Sequence, residues 1–169
     1  GQSKTLRIGY FPNINHAQAV IGLGRGDFQT ALGDNVEVTT QIFNAGPSAI
    51  EALFANQIDV AYIGPNPAIN GYVQSNGEAL RIISGAASGG AVFVVRNDSG
   101  INSSQDLANK KFSSPQLGNT QDVALRKYLL DNGYKTKENG GNIEVVPAKT
   151  ADIVSLMIKK DIDGAWLPE

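Results

Sequence analysis

Strand-like and helix-like stretches alternate along nearly the whole chain, separated by short loops of Gly, Pro, Ser and Asn. No other feature narrows the fold as far: strands joined through helices pair in parallel and carry those helices on their faces. Residues 6–11 read as a first strand, followed by a helix with Ala17, Val20, Ile21 and Gly24 on one face. Gly24 and Gly26 end that helix, and Phe28 and Leu32 come to the same core from a short further turn. Residues 36–43 alternate Val36, Val38, Thr40 and Ile42 against Glu37, Thr39 and Gln41, the two-residue period of a strand with one wetter face. Gly46-Pro47-Ser48 opens a helix, with proline in the first turn where a missing N–H is harmless. Residues 58–63 give a third strand, Gly64-Pro65-Asn66-Pro67 opens a helix running to Gln74, and residues 80–86 read as a fourth strand.

Ser88-Gly89-Gly90 interrupts the pattern, which then restarts. Residues 91–96 read as a strand, and Ser103 with Asp106 three positions on resembles a capping box. A short strand at 111–113 precedes a strong helix over 121–131, capped by Asn119-Thr120 and stopped by Gly133. Residues 143–146 form a strand, Thr150 caps a helix through Lys159, and residues 163–166 form a last strand. The expected organisation is therefore α/β with two lobes, residues 1–87 and 92–169, joined by a hinge at 88–91.

The chain has no cysteine, which excludes disulfides, thiolate catalysis and cysteine zinc sites. A net charge of −2 gives no electrostatic footprint for nucleic acid. No apolar run approaches the ~18 residues of a membrane span, and the start, Gly1-Gln2-Ser3-Lys4, is no signal peptide, so the chain reads as cytoplasmic or already mature.

Ligands of open α/β sheets bind beyond the carboxyl ends of the strands, where helix starts present backbone N–H groups and a positive dipole end. Four loops have that placement: residues 11–16, 44–48, 64–67 and 114–120. They are rich in Ser, Asn, Gly and Pro and contain no Lys or Arg. Such loops suit a small anion or polar ligand held by neutral donors. The same residues also serve as ordinary helix caps with nothing bound. Four loops on two successive lobes nevertheless favour a shared cleft over coincidence.

Catalytic patterns are thin. His16 is the sole histidine, so no histidine metal site can be built, and no G-x-S-x-G elbow accompanies it. Gly22-Leu23-Gly24-Arg25-Gly26 lies at the wrong end of its helix and lacks the spacing of a dinucleotide fingerprint. No cofactor is expected. Trp166 reads equally as core or as a ligand platform, and Glu169 as a surface carboxylate or a cleft residue.

Three stretches carry a family resemblance: residues 6–10, residues 52–64 (Ala-Leu-Phe-Ala-Asn-Gln-Ile-Asp-Val-Ala-Tyr-Ile-Gly) and residues 163–169 (Asp-Gly-Ala-Trp-Leu-Pro-Glu). The chain resembles the periplasmic solute-binding proteins of the nitrate, sulfonate and taurine ABC importers, a family that includes binders of thiamine-pyrimidine precursors. The resemblance implies a two-lobed, type II periplasmic-binding-protein (Venus-flytrap) fold, a small ligand at the lobe interface, a membrane ABC permease as partner, and no catalysis. It implies an extracytoplasmic or periplasmic location, with lipid anchoring through a removed signal peptide left open. By position, Asn13, His16, Gly46, Pro47, Ser48, Pro65, Asn66, Pro67, Gln116, Asn119 and Thr120 would line the cleft, and Trp166 and Glu169 would close it. Glu169 would favour a taurine-like or nitrogenous ligand over bare nitrate. Family members are longer, and their chains return to complete the first lobe, a return expected to be lacking here, with association or poor stability as the consequence. Two other readings remain: the effector-binding domain of a transcription regulator, and a thiamine-pyrimidine synthase, whose family carries a cysteine-rich stretch.

Overall fold

The computed structural model describes residues 4–169. These divide into two compact units, one ending at Gly90 and the other Ala91–Glu169. The described elements alternate as β1 (Lys4–Tyr10), α1 (Ala17–Arg25), α2 (Asp27–Leu32), β2 (Val36–Ile42), α3 (Gly46–Phe54), β3 (Val60–Ala61) and α4 (Pro65–Gln74). The second unit holds β4 (Ala91–Val95), β5 (Lys111–Ser113), α5 (Thr120–Asp131), β6 (Glu144–Val145), α6 (Thr150–Ile158) and β7 (Gly164–Pro168). The chain is mixed α/β, as its alternation dictates.

In the first unit the sheet order is β2-β1-β3, and both pairings are parallel. β1 pairs with β2 along its whole length, Lys4 opposite Val36 through Tyr10 opposite Ile42, but with β3 only at Ile8–Val60 and Gly9–Ala61. Phe11, Phe43, Ala49, Ala52 and Ile58 form the buried core above these strands. The glycines of the Gly22-x-Gly24-x-Gly26 stretch serve the α1–α2 junction. Gly26 sits at φ 74° and its N–H closes α1 onto Gly22 and Leu23 carbonyls, while Gly22 leaves room for the Phe28 ring.

The expected fourth strand at 80–86 is not formed. These residues lie outside helix and strand, and Ile82 and Ile83 are largely exposed. Alternating apolar residues supply strand propensity, but a strand exists only where a neighbour takes its backbone groups. Among the described residues no segment is paired to this one.

In the second unit the order is β4-β7-β5-β6, with β4–β7 antiparallel and the other pairings parallel. The last strand of the chain thus lies inside its sheet and separates two cores. Its alternation sends Trp166 toward Leu107, Phe112, Leu125, Leu129 and Ile143, and Ala165 and Leu167 toward Ile153 and Ile162. Each fully buried Leu, Ile or Phe contributes about 1.5–3 kcal/mol. The capping box forms as spaced, with the Ser103 hydroxyl accepting from the Gln105 N–H and the Asp106 carboxylate from the Ser103 N–H.

Candidate ligand-binding edges of the two units

Because β1, β2 and β3 run parallel, their carboxyl ends share one edge, and residues 11–16, 43–48 and 62–67 leave from it. Proline explains why two helices begin there: Pro47 lies in the first turn of α3 and Pro65 opens α4, and neither helix start carries a side-chain cap. With Pro47, Pro65 and Pro67 lacking N–H groups, the first turns keep those of Gly46, Ser48 and Asn66. The two starts abut. A Cβ at Gly46 would run into the Pro67 ring, 2.6 Å from its Cβ, and would stand 3.2 Å from Ile63 Cγ1. The edge therefore brings Gly46, Pro47, Ser48, Asn66 and the buried Pro67 together at two positive dipole ends, with Pro65 exposed beside them.

The third loop of this edge is a closed turn. Phe11 N–H donates to His16 Nδ1 at 3.0 Å, Asn13 N–H to the Phe11 carbonyl at 2.8 Å, and His16 N–H to the Asn13 carbonyl at 3.0 Å. His16 is 7% exposed, stacks on Phe11 with ring centroids 4.4 Å apart, and meets Tyr62 at 6.1 Å. Burial pulls its pKa below the ordinary histidine range. Asn13 is half-buried at the head of the turn. Residue spacing alone did not mark Phe11 or Tyr62 as the partners of this histidine; a hint lay in their positions just after β1 and β3.

The second unit repeats the arrangement after β5. Asn119 caps α5 through its Oδ1, which accepts from the Asp122 N–H at 2.8 Å, and its amide donates to Gln121 Oε1 at 3.0 Å. Asp122, 1% exposed, accepts from the Ser114 hydroxyl at 2.7 Å, the Gly118 N–H at 2.9 Å and Arg126 Nε at 3.0 Å. Ser114 and Gly118 lay inside the candidate loop 114–120 without being named as cleft residues, and Asp122 and Arg126 lay outside it, although Asn119 to Asp122 at three residues and Asp122 to Arg126 at four are the spacings of a capped helix start. The Arg126 guanidinium is shared between this carboxylate and that of Glu138. Thr120, first in the helix, buries its hydroxyl oxygen without a hydrogen-bond partner, and Gln116 lies half-buried in the loop before it.

Trp166 lies opposite Phe93 in the β4–β7 ladder and stacks on it at 5.4 Å, with Tyr128 edge-on at 5.8 Å. One indole face thus belongs to the aromatic core. Glu169 is exposed just past β7. Among the described residues no three of His, Cys, Asp and Glu are grouped to hold a metal, and no helix is long and apolar enough to cross a membrane.

The chain is similar to a protein of Brucella abortus (strain 2308) named as a candidate binding protein, with 30% identity over 135 residues, 79% of this chain and 39% of that one. Among solved structures it is similar to the alkanesulfonate-binding protein SsuA of Xanthomonas axonopodis pv. citri bound to MOPS. There the TM-score is 0.74 at 19% identity, over 100% of this chain and 56% of that one. It is similar also to the periplasmic nitrate-binding protein NrtA of Synechocystis PCC 6803, with a TM-score of 0.72 at 17% identity, over 99% of this chain and 47% of that one. The chain thus spans about half, or less, of the relatives it matches. Its fold is that of the periplasmic binding proteins, and the relatives are named for binding rather than for a reaction. A family model covering residues 1–169 settles the kinship: the chain belongs to the NMT1-like family.

Proposed function

We propose that this chain captures a small anionic or zwitterionic solute, of the sulfonate, taurine or nitrate kind, outside the cytoplasm and delivers it to an ABC permease. The carrying observation is the edge where α3 and α4 begin against each other through Gly46 and Pro67, without Lys or Arg. Two helix starts give an anion N–H donors and favourable dipole ends, and the absence of a fixed cation suits a ligand that must also be released. The α5 start, with Asn119, Thr120 and Gln116, is a second such edge. Gly46, Ser48 and Asn66 on the first unit, and Thr120 and Gln116 on the second, are the proposed donors. Asn13 and His16 shape the neighbouring loop, and Trp166 and Glu169 flank the second edge from β7. The chain acts by binding and needs no catalytic group.

A thermal-shift panel of taurine, ethanesulfonate, nitrate and a pyrimidine precursor at millimolar concentration tests this. A bound ligand at a hundredfold excess over Kd stabilises by about 2.7 kcal/mol. One sulfonate or nitrate should raise the melting midpoint, and Asn66→Ala should weaken that rise. No rise with any of the four overturns the proposed ligand class.

A further inference from the structure

A ring nitrogen that accepts an N–H hydrogen bond carries no proton. The 3.0 Å bond from Phe11 N–H to His16 Nδ1 therefore fixes the imidazole as neutral, with its one proton on Nε2. A second proton, on Nδ1, would set two donors face to face, and that bond would break. The ring is packed by Phe11 from the end of β1, by Tyr62 from the segment after β3, and by its own turn leading into α1. Tyr62 is the titratable side chain in ring contact with it, among the described residues no carboxylate, Lys or Arg is paired with it, and burial is the cause that depresses its pKa.

We propose that His16 is a positioning residue whose neutral ring latches the 11–16 turn, and that protonation releases the turn. The bond spans the whole turn, from its first residue to its last, so losing it unties Phe11 from the entry to α1 and leaves the turn closed only by the two backbone bonds of Asn13. The latch itself needs no ligand. Its consequence for affinity rests on the function proposed above: if only the latched turn binds, apparent affinity falls about tenfold per pH unit below the ring's midpoint.

Because His16 is the sole histidine, ring-nitrogen NMR of the whole chain reads it without overlap. At neutral pH the spectrum should show a bare Nδ1 and a protonated Nε2. On acidification the ring should titrate below 6.5, the ordinary value, and the Phe11 and Asn13 amide signals should move with the same midpoint while those of α5 stay still. A proton on Nδ1 at neutral pH, or Phe11 and Asn13 amides indifferent to the ring's midpoint, overturns the latch. His16→Asn keeps an acceptor near the Nδ1 position but cannot titrate, so its Phe11 and Asn13 amides should lack the step; a step that persists also overturns it. If that variant does not fold, the ring and amide titrations of the native chain decide. With ethanesulfonate as probe, a native affinity that falls with the ring supports the coupling, and one flat across the ring's midpoint overturns it. Failure of ethanesulfonate to bind at any pH counts against the proposed ligand class, and the ring and amide data still decide the latch.

Discussion

The two units are of similar length and similar element order, yet they are stabilised differently. Short, two-residue pairings occur in both sheets, β1–β3 in the first and β5–β7 and β5–β6 in the second, but the first unit packs one buried core cluster on its strands and leaves Ile69, Tyr72, Val73, Ile82 and Ile83 exposed. The second threads β7 between β4 and β5, so that both faces of its central strand are covered by core. Its turns are further tied by Arg96, whose guanidinium reaches the Ile162 carbonyl at 2.8 Å and the carboxylates of Asp98 and Asp163. Both sheets have an inner strand, β1 and β7, but β7 buries apolar side chains against a core on each face, so more apolar surface is withdrawn from water around it. The second unit should therefore unfold later than the first. Each has a private reporter: Trp166, the sole tryptophan, in the second, and His16 in the first.

The largest effect should come from emptying the second core. Phe112 is fully buried, 5.3 Å from Phe93, and Phe112→Ala should cost about 4 kcal/mol. In urea, Trp166 fluorescence should then report unfolding at lower denaturant, with the His16 signal unmoved. Equal movement of both reporters would break the comparison, because the units would be unfolding as one.

A smaller, opposite test falls on the first unit. Gly46→Ala inserts a methyl group between the starts of α3 and α4, a strain of about 1–3 kcal/mol. The His16 transition should shift and the Trp166 transition should not. Ligand-induced stabilisation should shrink with it, measured on the panel described above.

Acid should separate the units more finely still. Arg7 donates to both oxygens of Asp59, through Nε at 3.0 Å and a terminal nitrogen at 2.6 Å, and its own N–H adds a third bond. Those bonds hold the Asp59 carboxyl down at about 2, against an ordinary value of 3.8. A carboxylate with a lowered folded pKa stabilises fully above its unfolded value, so this contribution is present above pH 4 and is lost as pH falls toward 2. The effect is small, since both side chains are a third exposed to screening solvent. Asp59→Asn should flatten that part of the first unit's acid dependence. The second unit should keep losing stability there, because its own carboxylates are also held low, Glu138 chiefly by Arg126 and Glu144 chiefly by Lys137. An unchanged acid slope of the His16 transition in Asp59→Asn would remove this pair from the account.

Helices were the most legible elements. The starts of α3, α4 and α5 stood in the sequence as Pro47, Pro65 and Asn119, because first-turn proline and a capping side chain act on the backbone beside them. The site was legible only in part. The loops holding Gly46, Asn66 and Thr120 could be named from their place after strands, but the contact of Gly46 with Pro67 joins residues twenty-one apart in sequence and needs the sheet to bring them together. Asp122 and Arg126 fell within the helix expected over 121–131 and Ser114 in the loop before it, so the bonds that join the three across the cap were not legible from either segment alone.

By itself, then, the sequence determined the α/β alternation, the helix starts and the neutral character of the loops, all consequences of residues acting on near neighbours. The tertiary structure alone decided which extended stretches became strands. It left residues 80–86 unpaired, placed β7 at the centre of its sheet, set Trp166 opposite Phe93 and enclosed His16 with Tyr62. Each of these depends on a partner distant in sequence, whose arrival no local preference specifies.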